Sequence, residues 1–130
     1  MSQVTAWVAL DDVDESNGSM SMVPGSHRWG DKIDFLHDLE SFTLPDECVG
    51  HRLEMVLRPV AKGEVHYHHS LTWHGSHQNT SMRPRRAIAI HLMPDDTVYD
   101  AAGNHPMKPL VAVADGAKLQ GDAFPLVFSR

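Results

Sequence analysis

The stretch Arg85–Met93 reads RRAIAIHLM and alternates without a break. A period of two belongs to an extended strand. It puts Arg85, Ala87, Ala89 and His91 on one face, and Arg86, Ile88, Ile90 and Leu92 on the other. The isoleucine face is expected to pack in the core, and the alanine face leaves room for a ligand. Gln3–Leu10 (QVTAWVAL) alternates in the same way, with Val4, Ala6, Val8 and Leu10 opposed to Thr5, Trp7 and Ala9. The acidic run after it ends in Asn17-Gly18, a strong turn signal. Ser19–Val23 reads as a short strand closed by Pro24-Gly25, and Leu53–Leu57 and Glu64–His69 are further strands. A short helix is expected only around Ile33–Leu39. Many short strands separated by Gly/Pro turns predict an all-β sandwich or jelly roll with minor helix. The tail from Pro94 reads as ordered loop, pinned by the apolar FPLVF near its end.

At 130 residues the chain is expected to form a single domain over 1–130. Its formal charge of −6 argues against a nucleic-acid partner, which needs a clustered basic face. The one local basic cluster, Arg83, Arg85 and Arg86, suits a small acid instead. Cys48 is the only cysteine, so no intrachain disulfide forms, which fits a cytoplasmic protein. No apolar run is long enough to span a bilayer, no leader precedes Gln3, and no membrane partner is expected. Asn79-Thr80-Ser81 matches a glycosylation sequon and is read as chance.

Ten histidines is an unusual number for this length, and five of them fall between His66 and His77. His74, followed by Gly75 and Ser76, sits where a strand gives way to a turn. Such a place presents an imidazole at the mouth of a barrel, where a metal keeps open positions. On spacing alone, a solvated loop histidine is the stronger reading. Arg85 can hold a carboxylate through two parallel hydrogen bonds, with Ser76 adding a hydroxyl; a plain surface arginine is the commoner case. His66 and His68 share a strand face, and unbroken parity would add His74 to make an all-histidine metal set. A kink near Ser70–Thr72 would break that parity. Trp7 lines a pocket or fills a core. Asp11, Asp12, Asp14 and Glu15 read as a solvated acidic turn, and Asp95-Asp96 likewise. There is no Gly-x-Ser-x-Gly elbow and no phosphate loop.

Three stretches carry a family resemblance: TAWVALDDVDESNGSMSMVPGSH (Thr5–His27), GEVHYHHSLTWHGSHQNTSMRPRRAIAIH (Gly63–His91), and a tail with YDAAGNHP (Tyr99–Pro106) and GDAFPLVF. In this order and spacing they resemble the phytanoyl-CoA dioxygenase family. The resemblance implies a double-stranded β-helix and oxidation of a small organic substrate with Fe(II), O₂ and 2-oxoglutarate. It makes His74 the distal iron ligand and Arg85 the clamp on the distal carboxylate of 2-oxoglutarate. Ser76 then assists Arg85, Trp7 walls the cosubstrate pocket, and Asn79 shapes the loop after the ligand. The family's other two ligands are a His-x-Asp pair just before the strand matching Gln3–Leu10. No histidine of this chain has Asp or Glu two residues on. The chain therefore resembles the carboxy-terminal part of such an enzyme, without the first barrel strands, and is expected to be inactive alone. Strand edges left open by the missing strands are expected to draw chains into a homo-oligomer. The alternative is a non-enzymatic cupin-like protein that binds a small acid or a metal, the metal through His66, His68 and His74.

Overall fold

A computed structural model describes residues 3–30, 44–48 and 50–128. The chain forms two compact units, Gln3–Leu92 and, apart from two amino-terminal residues, Met93–Arg130. The helix expected at Ile33–Leu39 lies outside the described residues.

The first unit is built on two antiparallel sheets of three strands each. One has the order β6-β1-β8, from β1 (Val4–Ala9), β6 (Val65–His69) and β8 (Ala87–Leu92). The other has the order β5-β2-β7, from β2 (Met20–Met22), β5 (Val56–Arg58) and β7 (His74–Ser76). A two-stranded ribbon pairs β3 (Glu47–Cys48) with β4 (His51–Arg52). Along the chain the strands switch repeatedly between the two main sheets, which is jelly-roll winding. The strand expected at Leu53–Leu57 begins three residues later, at Val56. The clearest differences from expectation lie beyond these boundaries.

The register fixes which side chains share a face. In β1, Thr5 stands opposite His68 and His91, Trp7 opposite His66 and Ala89, and Ala9 opposite Ala87. Directly opposed residues of an antiparallel pair share a face. This face is the inner one: Thr5, Ala9 and His68 are buried. Ala9 packs with Val13 and Val60, and Trp7 lies against them. Val13 and Val60 exchange backbone hydrogen bonds of 2.9 and 3.0 Å, which tie the chain beyond β1 to the segment after β5. Burying each of these valines contributes about 1.5–3 kcal/mol.

The opposite face corrects the expectation that Ile88 and Ile90 pack in the core. Ile88 is 52% exposed, Ile90 46% and the neighbouring Tyr67 64%. The alternation has the expected phase, and by register the alanine and histidine positions of β8 share the face of Thr5, Trp7 and Ala9, the face expected to leave room for a ligand. The isoleucines on the other face are exposed instead of packed. The tail segment is likewise not pinned by FPLVF, since Leu126, Val127 and Phe128 are all exposed. The second unit is held by a bridge between Val98 and Lys118 and by backbone bonds between Tyr99 and the Gly116–Ala117 turn. Among the described residues no helix is long and apolar enough to cross a membrane.

The Asn17-Gly18 turn is fully determined. Asn17 has no exposed surface. Its Oδ1 accepts from the Asp14 amide at 2.8 Å, and its Nδ2 donates to the carbonyls of Asp12 at 2.8 Å and Pro84 at 3.2 Å. Gly18 has φ of +90°, and a Cβ there would come within 2.9 Å of the His77 carbonyl oxygen. Asn17→Ala strands a buried amide and removes the donors from two carbonyls. It is expected to lower stability by about 2–3 kcal/mol, read from the midpoint of urea unfolding.

Candidate functional site

His74 is placed by its neighbours on both sides. Trp73 before it is buried, and its amide donates to Ser26 Oγ at 2.8 Å. The Ser26 hydroxyl in turn donates to the Val23 carbonyl at 2.7 Å, and the Val23 amide donates to the Trp73 carbonyl at 3.0 Å. Pairing of β7 with β2 then sets His74 opposite Met22 and Ser76 opposite Met20. The His74 ring has Nδ1 2.7 Å from the Thr72 carbonyl. A carbonyl can only accept, so this nitrogen carries a proton, and in the neutral ring Nε2 keeps the lone pair. A metal-binding histidine needs this tautomer, with the second nitrogen fixed by a backbone oxygen.

His66 and His68 lie across from it on β6. A turn at Ser70–Thr72 does break the strand parity, and it carries the chain from one sheet to the other. The three rings nevertheless meet, because the two sheets face each other. His68 lies 4.7 Å from His74 between ring centroids, and His66 lies 5.5 Å from His68. The Nδ1 atoms of His66 and His68 are buried and without a hydrogen-bond partner among the described residues. A buried N–H left unpaired costs more than a bare nitrogen, which in the neutral rings favours the tautomer with the proton on Nε2. Burial pushes His68 down to about 4, with His74 and His66 adding to the effect; burial and then Arg58 lower His66. Among the described residues, no group of three His, Cys, Asp or Glu side chains is placed to hold a metal ion. The rings of the all-histidine set are therefore adjacent without forming a ligand cage. Of the three, His74 is the ring whose Nδ1 is held by a backbone carbonyl.

The three clustered arginines separate cleanly. Arg83 binds Asp14 at 2.6 Å, and Arg86 binds Asp11 at 2.7 Å through Nη2 and at 3.0 Å through Nε. These contacts correct the reading of Asp11 and Asp14 as a merely solvated turn; Asp12 also accepts from the Lys62 amide at 2.8 Å, and Asp95 pairs with Lys118 at 3.2 Å. Arg85 makes no ion pair or hydrogen bond among the described residues. Its guanidinium lies 5.9 Å from the centroid of the Trp7 ring, a cation–π contact that positions it without using its donors. Asn79 shapes the intervening loop: it donates to the Arg83 carbonyl at 2.8 Å and accepts from the Ser81 amide and hydroxyl, both at 2.9 Å. Ser76 is half-buried on the same sheet face as His74.

One residue on the inner faces escaped the sequence reading. Arg58 ends β5 opposite Met20, so it shares the face of Ser76 and His74. Ending the expected strand at Leu57 left it in a loop; carrying the parity one residue further would have found it.

The jelly-roll winding of two three-stranded antiparallel sheets, with His74 on β7 and Arg85 just before β8, is shared with known enzymes. The chain belongs to the phytanoyl-CoA dioxygenase family, whose model matches residues 1–87. A "Phytanoyl-CoA dioxygenase domain-containing protein 1 homolog" of Caenorhabditis briggsae is 32% identical over 96 residues, covering 67% of this chain and 33% of the relative. Two solved enzymes of nogalamycin biosynthesis share the fold. The non-heme alpha ketoglutarate dependent carbocyclase SnoK superposes with a TM-score of 0.72 at 29% identity, over 97% of this chain and 49% of that one. The epimerase SnoN, solved in complex with Fe3+, alpha ketoglutarate and nogalamycin RO, gives 0.70 at 32% identity, over 95% of this chain and 50% of that one. The chain thus spans about a third of the curated relative and about half of each solved enzyme.

The acid–arginine pairs give this site a pH signature. The Arg86 hydrogen bonds hold the Asp11 carboxyl at about 2, and hydrogen bonds from Arg83 and then Ser16 do the same for Asp14, against an ordinary value of 3.8. A pKa lowered by folding means that the unfolded chain binds protons first. The stability these pairs lend is complete above the ordinary value and drains as pH falls from there toward about 2. Carboxyl ¹³C titration is expected to place both midpoints near 2. Arg86→Met should return Asp11, and Arg83→Met should return Asp14, toward the ordinary value.

Proposed function

We propose that this chain supplies the distal half of an Fe(II)/2-oxoglutarate-dependent dioxygenase site that hydroxylates a small organic substrate. The observation that carries this reading is Arg85. Its two neighbours are occupied by acids, while its own guanidinium is held against Trp7 with its donors available for a carboxylate. Arg85 takes the distal carboxylate of 2-oxoglutarate as a bidentate pair, and Ser76 adds a hydroxyl. Trp7 orients the guanidinium and keeps water from one side of it. His74 offers Nε2 to the metal, and the Thr72 carbonyl holds the ring in that tautomer. Fe(II) with bound 2-oxoglutarate supplies oxidation of a C–H bond by O₂, with the cosubstrate leaving as succinate and CO₂.

The residues of the chain fit one ligand of a facial triad and the cosubstrate clamp, and none of its histidines begins a His-x-Asp or His-x-Glu pair. We accordingly propose that these 130 residues alone bind 2-oxoglutarate without productive turnover. The second reading, a non-enzymatic binder of a small acid, draws on the lack of a three-ligand group among the described residues; its metal-binding form through His66, His68 and His74 has no such group to draw on. The exposed outer face of the first sheet, with Ile88, Ile90 and Tyr67, supports self-association, and the free edge of β8 supports strand pairing between chains. A single free cysteine supports a cytoplasmic setting.

Anaerobic calorimetry with 2-oxoglutarate and Fe(II) tests the reading. Binding is expected to weaken at least about tenfold in Arg85→Met, the loss of one charged hydrogen-bonding partner. Its metal dependence should disappear in His74→Ala. Unaltered affinity in Arg85→Met would refute the clamp, and steady succinate formation by the chain would refute its inactivity alone. Light scattering is expected to show a dimer or larger species; a monomer at all concentrations would refute self-association.

A further inference from the structure

We propose that the lumen holds a second anion seat, built on Arg58 with His66 and His68, which receives a carboxylate of the molecule to be oxidised. The proposal rests on the assignment of Arg85 to the cosubstrate and names the substrate class for the same site.

A cavity of about 280 Å³ opens beside the inner faces, lined among others by Met22, His27, Arg58, His66, His68 and Thr72. No acidic side chain lines it among the described residues. Arg58 makes no ion pair or hydrogen bond among the described residues, yet it acts electrostatically on His66. An arginine that faces a lumen with its donors unspent invites an oxyanion, and its planar fork matches a carboxylate.

The histidines complete the seat. Their buried, unpartnered Nδ1 atoms favour the proton on Nε2, so each ring brings one N–H donor to an otherwise cationic pocket. Neutral imidazoles solvate a carboxylate without adding charge that must itself be desolvated. The seat adjoins the metal ligand, because the His68 ring stands 4.7 Å from that of His74. A substrate anchored at Arg58 and His68 is thereby held next to the His74 ring. Met22 supplies an apolar surface for a short alkyl part.

Two arginines then divide two acids. Arg85, beside Trp7, takes the cosubstrate, and Arg58, at the end of β5, takes the substrate. This division is separable by experiment.

The test is a titration of the ¹³C,¹⁵N-histidine-labelled chain with hexanoate, hexyl phosphate, hexanamide and 2-oxoglutarate, followed at the ring signals of His66 and His68. Hexanoate is expected to shift both rings saturably. Its affinity should fall about tenfold in Arg58→Met, recover in part in Arg58→Lys, and be unmoved in Arg85→Met. Hexanamide, which has the same shape without the charge, should bind about tenfold more weakly or worse. Equal binding of the amide, tighter binding of the phosphate ester, or unchanged hexanoate affinity in Arg58→Met would each overturn the proposal. The 2-oxoglutarate arm keeps the two assignments apart. Its binding should depend on Arg85 and not on Arg58; dependence on Arg58 would overturn the division. A failure of 2-oxoglutarate to bind, with Arg58-dependent hexanoate binding intact, would remove the cosubstrate reading and leave the anion seat standing.

Discussion

The buried side chain of Asn17 joins two parts of the chain that are 67 residues apart. One amide group satisfies the turn after β1 and, through the Pro84 carbonyl, fixes the approach to β8. Everything distinctive about the arginine cluster follows from this join. It brings the Asp11–Asp14 turn alongside Arg83–Arg86, so that the acids take Arg83 and Arg86. It also sets Gly18 under the His77 carbonyl, with Arg85 Nε only 3.7 Å from where a Cβ would stand. The turn and the guanidinium it flanks are thus one packed object. In a buried setting an amide is well suited to this role, because it both donates and accepts while carrying no charge that would need a counter-ion.

The interior is polar on one side and apolar on the other for a physical reason. A cationic lumen attracts acids only if its cations are not already neutralised. The acidic turn outside removes Arg83 and Arg86 from consideration, and the described lumen residues leave Arg58 and Arg85 without counter-ions. His66 and His68 line the cavity beside Arg58, and burial lowers the pKa of both, which disfavours further positive charge there.

Much of this was legible in the residues. The alternation in Arg85–Met93 and Gln3–Leu10 specified both strands and which side chains share a face, since a strand's period leaves only two possibilities. It also left the alanine face of β8 as the side with room for a ligand. Burial of Ile88 and Ile90 did not follow, because alternation says which residues share a face and not whether a further layer covers it. The meeting of His66, His68 and His74 was anticipated from parity along one strand, but it arises from two sheets facing each other, a long-range fact. Arg58 was missed because a one-residue error at a strand end changes a lumen residue into a loop residue. The pairing of Asp11 with Arg86 joins positions 75 residues apart, beyond any short-range signal.

The two alanines of β8 have unequal surroundings. Ala89 stands across from Trp7, and Ala87 across from Ala9, which is buried and packs with Val13 and Val60. The backbone hydrogen bonds at both positions are independent of the side chain. A valine or leucine at Ala87 would press on that buried cluster, whereas Ala89 is exposed and has room for added methyl groups. Variation on this face is therefore best tolerated beside Trp7 and least tolerated beside Ala9.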